Sequence, residues 1–400
     1  MDVFTTLSRR PELAPIQCID MHTTGEPTRI VISGFPDLPG TTLLEQRAHA
    51  KQQHDCLRAR LMLEPRGHSD MYGAILRPRT ELVDAGQAHV GVLFTHNEGF
   101  STMCGHATIA LGRVLVDTHD ETVFPRRAQC VFDPVERVTR VDLHAPCGVV
   151  RIEVPTTEDG RASDPERPVA FVSSPAFASG IGVEVQIPEE KRWPELRGRT
   201  SVVLDACFGG TFYAVVSAKE LGFPDGLRRV DMDAMGRAVK LLKSHLVDAP
   251  EFAPCITHPT TPDLSFLYSV MVVDDELGVV PEGSEGAETG LCYFADHQID
   301  RSPTGSCVVA RMALAYAKGL RKPGQRWTYH SLVSNAFGGK GGFTASIVEE
   351  VKIPGAEGVA ADGVLVRVEG QAYYTGCSTF IVEESDPISA NGFSMKSICS

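Results

Sequence analysis

The sequence of 400 residues lacks the features that mark several large classes of protein. It contains no run of 18 or more apolar residues, which a membrane-spanning helix requires. No block of lysine or arginine offsets the formal charge of −13, so neither nucleic acid nor an anionic membrane is an expected partner. A G-x-S-x-G elbow and a dinucleotide-binding fingerprint are also missing, so the enzyme classes that these motifs indicate are not predicted.

The cysteines lack the spacing of a disulfide framework or a structural zinc site. They number 11, an odd count, and none belongs to a C-x-x-C pair. The opening stretch MDVFTTLSRRPELAP carries polar groups and two prolines where a secretory signal has an apolar segment. The sequence therefore predicts free thiols in a reducing compartment, with a cytoplasmic location.

Short apolar, β-branched stretches recur along the chain and predict many strands with few helices. This mixture favours an α+β fold over a regular βαβ alternation. A capping box of Thr42 and Glu45 predicts a helix over 43–61, and an amphipathic pattern predicts another over 231–246. The polar segment 156–168 is either a hairpin loop or a joint between domains. The strand candidates are 16–21, 29–32, 71–76, 90–94, 149–154, 168–173, 201–204, 213–216, 264–273, 364–369 and 379–383.

A weak internal repeat relates two segments that lie 200 residues apart. Residues 104–110 (CGHATIA) align with residues 304–310 (TGSCVVA), and Thr102 then falls opposite Ser302. Both segments are predicted to begin a helix that is apolar on most sides and therefore buried. Thr102 and Ser302 take the predicted N-cap positions, and Pro303 follows Ser302 at the first helical position, where its missing N–H costs nothing.

The predicted helix starts make Cys104 a candidate functional residue. A thiol in a first helical turn meets the positive end of the helix dipole, which lowers its pKa from roughly 8.5 and favours the thiolate. The first-turn N–H groups of Gly105 and His106 suit a substrate carboxylate, as do those of Gly305 and Ser306.

Plain structural interpretations of these residues stay open. Cys104 could be a small core residue, and His106 a hydrogen-bonded histidine without a catalytic role. Asp300 could be a second capping carboxylate near Ser302, and Thr304 an ordinary first-turn threonine. Four other cysteines are predicted to be core residues: Cys207, Cys255, Cys292 and Cys307.

At these residues the chain resembles the proline racemase family. The resemblance is carried first by MCGH at 103–106 and DRSPTG at 300–305. Further similar segments are DMHTTGEPTRIV (20–31), EPRGHSDMYGAIL (64–76), HNEGFSTMCGHATIALGR (96–113), ADHQIDRSPTGSCVVARMAL (295–314), GQAYYTG (370–376) and DPISANGF (386–393).

Racemases and epimerases of this family carry a cysteine at both helix starts, whereas the second position here is Thr304. The DRSPTG pattern resembles that of the family's trans-3-hydroxy-L-proline dehydratases. A threonine hydroxyl has too high a pKa to exchange a proton with an α-carbon at neutral pH, so only one-base abstraction by Cys104 remains. The carbanion can then expel a neighbouring hydroxyl as water, which gives Δ2-pyrroline-2-carboxylate and, after tautomerisation, Δ1-pyrroline-2-carboxylate.

The resemblance also implies residue roles, without a metal or an organic cofactor. Cys104 is the expected general base, and Thr304 positions the departing hydroxyl or a water. Asp300 pairs with the substrate ammonium, while the helix-start residues hold the carboxylate and the ring nitrogen. The implied substrate-binding residues are Gly105, His106, Asp300, Gly305 and Ser306.

The implied fold is a two-lobed α+β fold of the diaminopimelate epimerase type. Each lobe is expected to be a curved sheet or barrel around a central helix, with the active site in the interlobe cleft. The N-terminal lobe is predicted over 1–165, completed by about 370–400, and carries Cys104. The C-terminal lobe is predicted over 166–369 and carries Thr304. A small imino acid is the expected substrate, and a homodimer is the expected assembly.

Two other functions stay open. One is an isomerase of proline or 4-hydroxyproline, in which Cys307 would have to replace the missing second thiol. Residue 307 lies about 5 Å deeper along the helix than residue 304, so its thiol is expected to pack in the core. The other is a non-catalytic amino-acid-binding protein with the same fold.

Overall fold

The computed structural model describes residues 2–295, 297–354, 361–395 and 398. The chain divides into two compact units, the first formed by Met1–Phe171 with Gln371–Ser400 and the second by Val172–Gly370. The sequence placed these divisions at 165 and at about 370. The polar segment 156–168 lies in the first unit, where Thr156 and Ser163 form an antiparallel bridge within it.

The first unit, unit 1, consists mainly of short strands and short helices. Its helices are α1 (Val3–Ser8), α2 (Leu43–Gln53), α3 (Asp55–Met62), α4 (Glu81–Asp84) and α5 (Gly105–Asp117). Its strands are β1 (Ile16–Thr23), β2 (Glu26–Ser33), β3 (Tyr72–Arg77), β4 (Val90–His96), β5 (Phe100–Ser101), β6 (Val131–Asp133), β7 (Val138–Ala145), β8 (Gly148–Pro155) and β19 (Ala372–Phe380). Strand β9 (Val169–Val172) lies at the division between the two units.

The second unit, unit 2, contains the longest strands, of 10 and 11 residues, and the longest helix, of 15 residues. Its strands are β10 (Phe177–Gln186), β11 (Ser201–Phe208), β12 (Phe212–Ser217), β13 (Leu267–Asp274), β14 (Ala287–Phe294), β15 (Gln298–Ile299), β16 (Trp327–His330), β17 (Phe343–Ile353) and β18 (Ala361–Gly370). Its helices are α6 (Met232–Leu246), α7 (Gly305–Ala317) and α8 (Leu332–Ala336).

The two units repeat one strand order. Unit 1 runs β19-β1-β2-β3-β4-β7-β8, with antiparallel neighbours except for the parallel pairs β2–β3 and β4–β7. Unit 2 runs β10-β11-β12-β13-β14-β16-β17-β18, with parallel pairs at β12–β13 and β14–β16. Helices connect the strands of each parallel pair, as parallel pairing requires. The weak sequence repeat therefore lies in equivalent parts of two units with the same topology.

The repeat segments form the central helix of each unit. Helices α5 and α7 both contain 13 residues, and both begin at the aligned glycine, Gly105 or Gly305. Residues 105–116 of α5 and 305–314 of α7 are all buried. Helix α5 packs against β1, β2, β8 and β19, and α7 packs against β10, β11, β17 and β18. The prediction of two buried helices wrapped by sheet is confirmed.

The α+β class follows from this architecture, while several predicted elements differ in detail. The helix predicted over 43–61 is interrupted at His54, so α2 and α3 are separate helices. Strands β10 and β17 were not predicted, because β10 contains glycine and β17 contains adjacent glutamates, which have low strand propensity. Backbone pairing of β10 with β11, and of β17 with β18, overrides the low strand propensity of these residues.

Candidate active site

The thiol of Cys104 lies at the N-terminal end of α5. Cys104 is the N-cap residue, with extended backbone at φ −148°, and its Sγ accepts the N–H of Ala107 at 3.4 Å. The predicted N-cap at Thr102 is therefore wrong by two residues. The turn before the helix is organised by Ser101, whose hydroxyl donates to the carbonyl of Met103 at 2.8 Å.

His106 lies directly beside this thiol. The Sγ of Cys104 is 3.3 Å from Nδ1 and 3.5 Å from Nε2 of the His106 ring. Tyr72 packs edge-on against the ring, with 4.8 Å between ring centroids, and the Thr23 hydroxyl donates to the His106 carbonyl at 3.0 Å. Strands β1 and β3 thus hold His106 in place, and both Cys104 and His106 are buried.

The second helix start is built around a carboxylate. Asp300 accepts the N–H of Ser302 at Oδ1 (2.7 Å) and the hydroxyl of Thr304 at Oδ2 (2.8 Å). Ser302 in turn accepts the N–H of Thr304 at 3.1 Å. Thr304 is the N-cap residue, so the predictions of Ser302 as N-cap and Pro303 as first helical residue are wrong. The Asp300 hydrogen bonds favour a tight turn that delays the helix by two residues.

Thr304 has a left-handed backbone, with φ 63° and ψ 81°. A β-branched residue rarely adopts this conformation, and a position of this kind costs about 1–3 kcal/mol. The hydrogen bonds to Asp300 and Ser302 compensate for that cost and turn the Thr304 hydroxyl towards the carboxylate. Strain of this type concentrates at functional sites.

The first residues of α7 are supported by the β11–β12 hairpin. The Oγ of Ser306 is 2.7 Å from the hydroxyl of Tyr213, which is fully buried. Burial raises the pKa of Tyr213 well above its usual value, so the phenol keeps its proton. At Gly209 an added Cβ would lie 2.2 Å from the Ser306 carbonyl oxygen, so only glycine lets the hairpin approach α7 this closely.

Cys307 lies in the core of unit 2, as predicted. Its side chain is fully buried, and burial raises its pKa well above the usual thiol value. A thiol of this kind does not exchange protons readily at neutral pH. This placement argues against Cys307 as a substitute for the second catalytic cysteine of a racemase.

The predicted residues form two groups, one in each unit. Cys104, Gly105 and His106 come together in unit 1. In unit 2, Asp300 and Ser306 lie at the start of α7 with Thr304 and Gly305 between them. The sequence analysis missed the supporting residues Tyr72, Thr23, Tyr213 and Gly209, which lie more than 30 positions from the helix starts they contact.

The described part of the chain contains no group of three His, Cys, Asp or Glu side chains arranged to hold a metal ion. In the same residues, none of the helices has both the length and the apolar character of a membrane span.

Comparison with known sequences identifies the family. The family profile described as Proline racemase matches residues 18–394. The chain belongs to the proline racemase family. It is 40% identical over 402 residues to a trans-L-3-hydroxyproline dehydratase of Pongo abelii, covering 99% of this chain and 100% of that protein. It is 32% identical over 381 residues to a proline racemase of Clostridioides difficile, covering 95% of this chain and 98% of that protein.

Comparison with solved structures supports the fold assignment. A hydroxyproline epimerase from Agrobacterium vitis, crystallised with trans-4-hydroxy-L-proline, matches with a TM-score of 0.73 and 21% sequence identity. The match covers 94% of this chain and 95% of that chain. At this identity the likeness shows the fold alone, and it confirms the α+β fold that the resemblance implied.

Proposed function

We propose that this protein is a trans-3-hydroxy-L-proline dehydratase, a hydro-lyase. The observation that carries the proposal is the pair of aligned helix starts, one with the thiol of Cys104 and the other with the hydroxyl of Thr304. A two-base isomerase needs a second group able to exchange a proton with the α-carbon, and threonine does not supply one. The full-length 40% identity to a dehydratase supports the same reaction.

In this reaction Cys104 acts as the general base. Its sulfur accepts an N–H at the positive end of α5, and His106 lies 3.3 Å away, so both neighbours favour the thiolate form. The thiolate takes the α-proton and leaves a carbanion, whose electron pair then forms the double bond to C3 as the C3–O bond breaks. The hydroxyl leaves with a proton as water, and His106 is the candidate acid for that proton.

The remaining roles are assigned by the family resemblance together with the local geometry. Asp300 carries the negative charge that pairs with the substrate ammonium, and Thr304 positions the departing hydroxyl or a water. By the resemblance, helix-start N–H groups bind the carboxylate, whose negative charge grows as the α-proton leaves. The residues assigned to the substrate are Gly105, His106, Asp300, Gly305 and Ser306. The reaction as proposed uses no metal or organic cofactor.

A proton NMR time course in D2O tests this function directly. The protein is mixed separately with trans-3-hydroxy-L-proline, trans-4-hydroxy-L-proline and L-proline. We expect loss of the 3-hydroxy substrate and appearance of Δ1-pyrroline-2-carboxylate. The variant Cys104→Ala should lose at least a hundredfold of this activity, which is the scale of general-base catalysis.

A matched cysteine variant controls this experiment. Cys307→Ala removes a buried thiol from α7, where the aligned residue of α5 is Ala107, and should keep activity within a few-fold. α-Deuteration or epimerisation of proline or the 4-hydroxy isomer without water loss would instead assign an isomerase. No reaction with any of the three, despite binding, would favour an amino-acid-binding protein. The homodimer and the cytoplasmic location stay predictions from the sequence.

A further inference from the structure

The sulfur of Cys104 lies over the face of the His106 imidazole, outside the plane of the ring. It is almost equally distant from the two ring nitrogens, at 3.3 Å from Nδ1 and 3.5 Å from Nε2. Because Cε1 lies between these nitrogens, a sulfur in the ring plane at those distances would overlap Cε1. The N–H bonds of an imidazole lie in the ring plane, so neither of them points at the sulfur.

This arrangement limits what the two groups do to each other. With no N–H directed at the sulfur, His106 does not pass a proton to Cys104. A protonated imidazole still acts on the thiolate through its charge, because the two side chains are in contact and both are buried. The strength of this effect depends on how the ring is held against the sulfur.

Tyr72 is placed to hold that ring. It lies on β3 and is only 2% exposed, and its ring meets the His106 ring at 4.8 Å between centroids with 74° between planes. On its other side, Tyr72 pairs with His96 on β4, whose ring centroid is 6.0 Å away. The Thr23 hydroxyl fixes the backbone carbonyl of His106, whereas the Tyr72 contact fixes its side chain.

Other titratable groups surround α5. Glu26 is fully buried and pairs across the β1–β2 hairpin with Thr23, so its side chain lies on the face that meets the start of α5. Among the described residues, the titratable and charged side chains that surround α5 are Glu26 (β2), Tyr72 (β3), His96 (β4) and Tyr374 (β19), with Arg113 and Asp117 on α5 itself.

We infer that Tyr72 is a positioning residue, which holds the His106 ring with its face against the Cys104 sulfur so that an imidazolium stabilises the thiolate by charge alone. The two groups then titrate as a coupled pair, in which the imidazolium lowers the pKa of the thiol and the thiolate raises the pKa of the imidazole. The inference rests on the proposed dehydratase function, because it assigns Tyr72 to the ionisation of the general base.

Direct titration of both groups tests the inference without relying on turnover. The Cys104 thiolate is followed by its ultraviolet absorbance, as the difference between each variant and the same variant with Cys104→Ala. The His106 ring is followed by NMR, with its signal assigned by its loss in His106→Gln. In Tyr72→Leu we expect the ratios of thiolate to thiol and of imidazolium to imidazole to fall roughly tenfold at fixed pH, the lower end of the effect of an adjacent opposite charge. The two falls should be equal, because both measure one interaction.

Matched variants separate positioning from simple packing. Tyr72→Phe keeps the ring and should leave both ratios within about twofold of wild type. Phe124→Leu removes another fully buried aromatic ring of unit 1 and should change neither ratio. In a His106→Gln background, Tyr72→Leu should leave the Cys104 ratio unchanged, because Tyr72 acts through His106. If Tyr72→Leu does not fold, Tyr72→Met fills the space without a ring and should give the same two falls.

The outcomes distinguish the two proposals. Unchanged ratios in folded Tyr72→Leu or Tyr72→Met, or a change in only one of the two ratios, would overturn the positioning role and leave the dehydratase intact. A fall in the Cys104 ratio that persists in the His106→Gln background would also overturn it. Failure of the wild-type protein to form pyrroline would overturn the dehydratase, while the titrations would still decide whether Tyr72 positions the ring.

Discussion

The starts of α5 and α7 occupy the same place in two units of equal topology, yet they present their functional atoms differently. Cys104 has an extended backbone, and its sulfur accepts an N–H of its own helix. Thr304 has a left-handed backbone, and its hydroxyl donates away from the helix to Asp300. One start therefore places a helix N–H on a sulfur, while the other fixes an oxygen beside a carboxylate.

The difference shows how one scaffold can support two roles. The glycine after each N-cap and the buried helix behind it are common to both units. The supporting hairpins are also equivalent, since Thr23 ends β1 and bonds the His106 carbonyl, while Gly209 follows β11 and packs on the Ser306 carbonyl. What differs is the turn before the helix, which contains a carboxylate in unit 2 only, at Asp300.

Among variants at the second helix start, removing the charge of Asp300 should cause the largest loss of activity. In Asp300→Asn one oxygen still accepts the Ser302 N–H, but an amide NH2 replaces the acceptor for Thr304, and the charge for the ammonium is lost. We expect kcat/KM to fall about tenfold to a hundredfold, the range of one lost hydrogen bond to a charged group. Steady-state kinetics with trans-3-hydroxy-L-proline measure this.

The matched control is Asp275→Asn, which removes an exposed carboxylate of the same unit and should leave kcat/KM unchanged. Equal activity of Asp300→Asn and wild type would show that the carboxylate only shapes the turn.

The second prediction concerns a variant in which both helix starts carry a thiol. Thr304→Cys introduces a second thiol, and we expect dehydration to fall by about tenfold while α-proton exchange with proline-type substrates appears, because a thiol reaches proton-transfer range near neutral pH. NMR detection of α-deuterated proline in D2O, with chiral analysis of the product, measures this gain. Absence of exchange in the folded variant would mean that the surroundings of residue 304, more than its functional group, select the reaction.

The smallest effect is expected from a variant that disturbs the contact between the β11–β12 hairpin and α7. Gly209→Ala places a Cβ 2.2 Å from the Ser306 carbonyl oxygen and 2.7 Å from the Ala310 nitrogen, so the hairpin must move. We expect the free energy of unfolding to fall by about 1–3 kcal/mol, the usual cost of overpacking, with a rise in KM. Denaturant titration measures the first and steady-state kinetics the second.

Gly99→Ala is the control, because an added Cβ there meets no heavy atom within 4 Å among the described residues. A Gly209→Ala variant as stable as Gly99→Ala would show that the β11–β12 hairpin does not need its close approach to α7.

Much of this arrangement was predictable from local patterns. The apolar stretches after residues 104 and 304 predicted two buried helices, and both are present. The many short strands predicted the α+β class, and Thr42 with Glu45 predicted the capping box at the start of α2. These features depend on residues within one or two turns of each other, so sequence neighbours are sufficient to specify them.

The exact helix starts were not predictable in the same way. Good capping residues at 102 and 302 indicated an earlier start, but each helix begins two residues later. The reason is the set of competing hydrogen bonds made by Ser101 in unit 1 and by Asp300 in unit 2. Capping propensity describes one residue at a time and does not include such competition.

The chemistry of the site thus has two sources. The motifs around Cys104 and Thr304 determine which reactive groups are available, because a thiol and a hydroxyl differ in intrinsic acidity wherever they lie. Tertiary structure decides what the neighbouring helix-start residues contact: Tyr72 lies beside His106, and the Tyr213 hydroxyl lies on Ser306. Both contacts come from strands that lie outside these motifs in the sequence, and only the folding of the sheets brings them to the helix starts.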